Sequence, residues 1–116
     1  MKTMFRVLLI GTAMLLVSQT AVAQQYRTIG APDCGRWLNQ PADWHKSWLL
    51  GFLSGQNAIF FALADPKRWK DRLEKLRSTD QAIIWMDNYC RANPLNSVAD
   101  GGIDLGLELS KMSNRE

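Results

Sequence analysis

From Asp43 to Ala64 the chain reads DWHKSWLLGFLSGQNAIFFALA. Trp44, Trp48, Phe52, Ile59 and Leu63 recur near the 3.6-residue period of a helix, and Leu49, Leu53 and Phe60 widen the stripe. A helix apolar over so much of its surface is expected at the centre of a domain, touched on several sides. Pro41, Ala42 and Asp43 form its start, with proline early and an acid in the first turn. Gly51 and Gly55 stand four apart on one face. Each costs about 1 kcal/mol in a helix interior, so the pair predicts close approach of a second helix. The same spacing occurs in membrane dimers, but Asp43, His45, Lys46, Gln56 and Asn57 argue against a span.

Shorter patterns flank this segment. Residues 24–33, QQYRTIGAPD, are polar and carry Gly30 and Pro32, which predicts a loose lead-in. CGRWLNQ, 34–40, predicts one or two helical turns with Trp37 and Leu38 inward, ended by Gln40-Pro41. After Asp65-Pro66, KRWKDRLEKLR sets Trp69, Leu73 and Leu76 at i, i+4, i+7, which predicts a short amphipathic helix. Asp71 and Lys75 lie four apart in the supportive order. Ser78, with Gln81 three positions on, has the form of a capping box. DQAIIWMDNYCRA, 80–92, is then a helix with Ala82, Trp85, Met86, Tyr89 and Cys90 inward. Asn93-Pro94 predicts a stop and a new start, with Asn93 as cap and Pro94 in the first helical position. Leu95, Val98, Ala99, Gly102, Leu105, Gly106 and Leu109 mark the last helix, with a kink expected at Gly101-Gly102 and a frayed KMSNRE tail. No alternating strand pattern appears. The pattern predicts an all-α, small four-helix orthogonal-type domain.

The first 23 residues change the picture of where it works. Lys2 and Arg6 precede an apolar run from Val7 to Val17, and Ala21-Val22-Ala23 supplies a small-x-small cleavage site. This is the layout of a secretory signal. The run is shorter than the roughly 20 residues a permanent span needs. Residues 1–23 are therefore expected to leave as a signal peptide, with 24–116 forming a single helical domain in the periplasm. Losing Lys2 and Arg6 leaves 12 basic against 11 acidic residues, so the net charge of +3 falls to +1. The high pI thus gives no argument for nucleic acid as partner, and no stable membrane insertion is expected after cleavage. The one dense basic run, Lys67, Arg68, Lys70, Arg72, Lys75 and Arg77, reads first as a solvated face and second as a site for an anionic partner.

Cys34 and Cys90 are the only cysteines. In an oxidising compartment an even count predicts a bridge, here one disulfide closing 56 positions, worth roughly 4 kcal/mol in the chain-entropy model. A metal site would need more ligands, and His45 is the only histidine. A thiol nucleophile would need a base, and His45 eleven residues away is thin support. Asp43, His45 and Ser47 are two apart each, and such positions do not face one another on a helix. Asp100 and Asp104, four apart, read as a solvated face before a cation site. No phosphate loop is present. The residues assemble no catalytic constellation and call for no metal or cofactor, so a non-enzymatic role is expected. Five tryptophans are many for this length, and any that stay unburied favour partner binding.

With CGRWL, WHKSWLLGF and YCRANP in view, the chain resembles the HdeA/HdeB family of small periplasmic acid-stress chaperones. The resemblance covers most of the mature chain and is sharpest at YCRANP and the cysteine pair. It implies an acid-activated holdase for unfolded or specific periplasmic proteins, with a homodimer as one possible state. Below pH ~3 the carboxylates take protons while the 12 bases stay charged, and self-repulsion loosens the fold. The surface that opens or docks would then be carried by Trp44, Trp48, Phe52, Phe60 and Trp85. The chain also looks somewhat like immunity-type inhibitors of secreted cell-wall amidases, and like exported proteobacterial proteins of no assigned role.

Overall fold

The computed structural model describes residues 26–115. The expected leader, 1–23, and its cleavage point after Ala23 lie outside them. Among the described residues the fold is all-α, with four helices: α1 (Cys34–Asn39), α2 (Asp43–Leu63), α3 (Thr79–Ala92) and α4 (Val98–Ser113). A 3-10 turn, Arg72–Lys75, lies between α2 and α3. The only strand-like pairing among the described residues is an isolated antiparallel bridge between Asp33 and Ser97.

Two junctions set the frame. Asp33 caps α1 by accepting from Arg36 N (2.8 Å). The segment before α1 is fastened to the start of α4: Cys34 N donates to Asn96 O and Val98 N to Pro32 O, both at 2.9 Å. Cys34 and Cys90 are bonded, tying α1 to the end of α3 as expected. Both half-cystines are fully buried beside Trp37, Met86 and Val98.

The centre of the domain is α4, not α2. Val98, Ala99, Gly101, Gly102, Leu105, Gly106 and Leu109 are all buried, and α4 packs against α2, α3 and the 3-10 turn. Close approach happens at its glycines. A Cβ on Gly102 would lie 2.7 Å from the Phe52 ring, and one on Gly101 2.7 Å from Met86 and Tyr89. At Gly51 and Gly55 nothing lies within 4 Å of the corresponding position. The expected contact therefore forms at the other glycine pair, and α2 contributes the large side chains. Its buried face is His45, Leu49 and Leu53, while Trp44, Ile59 and Leu63 of the expected inward stripe are exposed. So many apolar residues surround α2 that periodicity alone does not select a face.

Several local expectations differ from what forms. Residues 67–77 make no amphipathic α-helix. Only Arg72–Lys75 is helical, as a 3-10 turn, because Asp71 caps Leu73 N (2.9 Å) and accepts from Asn57 (3.0 Å). Arg72 is drawn inward, its guanidinium 3.6 Å from the centre of the Phe60 ring and donating to Gly106 O (3.3 Å). An isolated segment this short is a marginal helix, so these tertiary bonds decide its shape. Ser78 is the N-cap of α3 without a side-chain bond, and Gln81 instead accepts from Arg77 N (2.7 Å). Asn93 closes α3, its Nδ2 donating to Tyr89 O, and α4 starts four residues later at a capping box of Ser97 and Asp100. From there α4 runs to Ser113, which is buried, so residues 111–113 of the tail are helical rather than frayed.

Candidate binding surface: a strapped aromatic face

Trp44, Trp48 and Phe52 follow one another at four-residue spacing along α2, so they share a face. Trp48 and Phe52 stack, with centroids 5.0 Å apart and planes at 15°. Both are half-buried. One side of Phe52 rests on the bare backbone of Gly102. The other cover is the lead-in segment, residues 26–32, which crosses α2 as a strap. Trp48 Nε1 donates to Ile29 O (2.8 Å). Gly30 sits against the indole at φ +75°, a left-handed conformation that lets the strap turn there. Thr28 and Ile29 of the strap and Ser47, Gly51 and Phe52 of α2 line a shallow, open hollow of about 480 Å³ beside Trp48.

At Tyr26 the strap is held by a side-chain hydrogen bond. Tyr26 Oη donates to Asp100 Oδ1 (2.9 Å). Asp100 at the same time completes the α4 capping box: its Oδ2 accepts from Ser97 N (2.9 Å) and Ser97 Oγ (2.7 Å). The backbone and side-chain hydrogen bonds from Ser97, with a further one from Tyr26, hold the Asp100 carboxyl below the ordinary carboxylate range against the opposing effect of burial. Burial, the bond to Asp100 and that group's charge push the Tyr26 hydroxyl up to about 12, with smaller contributions from Tyr89 and Asp104. The hydroxyl therefore stays a donor across the physiological range. One carboxylate thus serves both a helix start and the strap. The capping role was written in the sequence as Ser97-x-x-Asp100, while the strap bond, 74 positions apart, carried no local signal.

Of the other expected docking residues, Trp44 extends this face one turn earlier, while Trp85 and Phe60 lie elsewhere. Trp44 is exposed and stands edge-on to the His45 ring at 4.0 Å. Trp85 stacks on Tyr89 (5.4 Å) and donates to Glu108 (3.1 Å), so it belongs to the α3–α4 seam. Phe60 lies at the far end of α2 under Arg72. The five residues therefore divide among separate places, and only Trp48 and Phe52 are in direct contact.

His45 is 3% exposed, and its Nδ1 is buried without a hydrogen-bond partner. The ring lies beside Trp37, whose Nε1 donates to Asp87 (2.7 Å), at the edge of a cleft of about 240 Å³. No hydrogen bond joins His45 to the side chains of Asp43 or Ser47. Among the described residues no group of three or more His, Cys, Asp or Glu is placed to hold a metal. Comparison of the chain with protein-family models, curated proteins and solved structures returns no match.

Proposed function

We propose that this is a small periplasmic protein-binding protein of the acid-stress chaperone type, in which the strap covers the binding face until acid loosens it. The observation that carries this reading is the double duty of Asp100, which caps the central helix and holds the strap over Trp48 and Phe52. The sign follows from the depressed carboxyl. Its contribution to stability is complete above the ordinary carboxylate range, near pH 4, and is lost as pH falls from there through the lower folded value. Protonation weakens the α4 cap and the anchor of Tyr26 in one event. Trp48 and Phe52 then become available to apolar segments of unfolding proteins, while the Cys34–Cys90 bond keeps the chain from expanding fully.

The test is circular dichroism with binding of a hydrophobic dye from pH 7 to 2, together with suppression of aggregation of an unrelated protein. Wild type is expected to gain dye binding and holdase activity below pH 4. Asp100→Asn, which mimics the uncharged side chain, is expected to bind dye at higher pH than wild type. A chain that keeps its tertiary signal and ignores the dye down to pH 2 would overturn the reading. If that stable chain also bound one amidase at nanomolar strength, an immunity-type inhibitor would replace it.

A further inference from the structure

We propose that the outer end of α2 is a docking tip for an anionic lipid surface. Residues 58–63, Ala-Ile-Phe-Phe-Ala-Leu, are all apolar and all exposed, with Ile59 at 60%, Phe61 at 64% and Leu63 at 80%. Six consecutive helical residues cover about 1.7 turns. One side of this end packs back on the body, with Arg72 over Phe60 and Trp69 against Phe61. Ile59, Ala62 and Leu63 form an apolar outer surface beside them. The tryptophan and the cations next to that surface select a bilayer interface over an apolar protein groove. The length fits: six residues rise about 9 Å, against the 5–10 Å depth to which interfacial helices settle.

The base of the tip has the chemistry of a headgroup layer. Trp69 packs edge-on against Phe61, with centroids 5.5 Å apart. Lys67 and Arg68 are exposed, and their side chains make no hydrogen bond or ion pair with the described residues. Lys70 reaches back to Ser113 O (3.0 Å) and stays exposed. Of the nearby acids, Asp65 accepts from Lys67 N and Asp71 is engaged by Asn57 and Leu73 N. From Asp65 to Lys75 there are five bases to three acids. A tryptophan and free cations at the foot of an apolar tip suit acyl chains beyond and anionic phosphates at their level. A second copy is disfavoured, since tip-to-tip contact would bring Lys67 and Arg68 of both copies together. The docking is peripheral, because no helix among the described residues is long and apolar enough to cross a membrane.

The experiment is co-sedimentation of the mature protein at pH 7 with vesicles of phosphatidylethanolamine and phosphatidylglycerol, against vesicles of phosphatidylcholine alone. Working at neutral pH separates it from the acid-release reading, which can fail while this holds, or the reverse. Wild type is expected to partition at least tenfold better onto the anionic vesicles, with Trp fluorescence shifted to the blue. Phe61→Ser with Leu63→Ser is expected to lose binding at least tenfold, and Lys67→Ala with Arg68→Ala to lose most of the anionic preference. All four side chains are exposed, so unchanged circular dichroism should certify the fold of each variant. No sedimentation of wild type with anionic vesicles, or equal sedimentation of wild type and the Phe61/Leu63 variant, overturns the proposal.

Discussion

The chain holds two glycine pairs of the same spacing, Gly51/Gly55 in GFLSG on α2 and Gly102/Gly106 in GIDLG on α4. The first faces open space and the second lies beneath Phe52 and Gln56. The two helices in fact meet each other, so one pair became the seam and its twin became surface. What separates them is the neighbouring side chains. On α2, Phe52 and Gln56 follow each glycine directly and carry bulk into the gap. On α4, Ala99, Leu105 and Leu109 leave the glycines as the low ground between α2 and α3. Spacing marks where a helix can be approached, while the complementary bulk decides where it is.

Four measurements sharpen or break this contrast. Removing the frame comes first: Cys34→Ala or Cys90→Ala should cost about 4 kcal/mol in urea unfolding, since α1 would no longer be tied to α3 across the closed loop. Gly102→Ala comes next. Its methyl would press on a ring pinned by the Trp48 stack, and overpacking of that kind costs about 1–3 kcal/mol, only part of which the helical preference of alanine returns. A thermal midpoint equal to wild type would show that the α2–α4 seam is looser than described. Asp100→Asn should lower stability by about 1 kcal/mol at pH 7 as the cap weakens. Chemical denaturation of that variant should also lose part of the decline that wild type shows below pH 4, because the depressed carboxyl is no longer there to titrate. The smallest effect has the opposite sign. Gly51→Ala and Gly55→Ala should each stabilise by up to about 1 kcal/mol, since their methyl groups enter open space. Destabilisation at either would mean that this face is covered in solution.

The helices themselves were legible. Period and punctuation marked α1, α2 and α3 close to their observed bounds, and the cysteine pair, read with the expected leader, announced the bridge. Less legible were features decided by distant partners. Residues 67–77 carry a sound helical pattern, yet Arg72 is held inward, over the Phe60 ring and donating to Gly106 O, and not on a solvated helix. The start of α4 could have been read from Ser97 and Asp100, but the Asn93-Pro94 signal is louder and lies first. At the candidate site, the aromatic residues of α2 stood out while their cover did not. The strap is a polar run with a glycine and a proline, and its bonds to Trp48 and Asp100 are visible only in three dimensions.

The strap is also moored at one end. Pro32 O accepts from Val98 N, and the next residues enter a helix bonded through Cys34 to Cys90. When Tyr26 lets go, the loosened stretch can wander no more than roughly 20 Å from that mooring. Its return to Trp48 is then a first-order event that competes with any bound guest at high effective concentration. On the acid-release proposal, restoring neutral pH should therefore evict cargo at a rate independent of how much protein is present, giving a gradual handover in place of a flood of sticky chains.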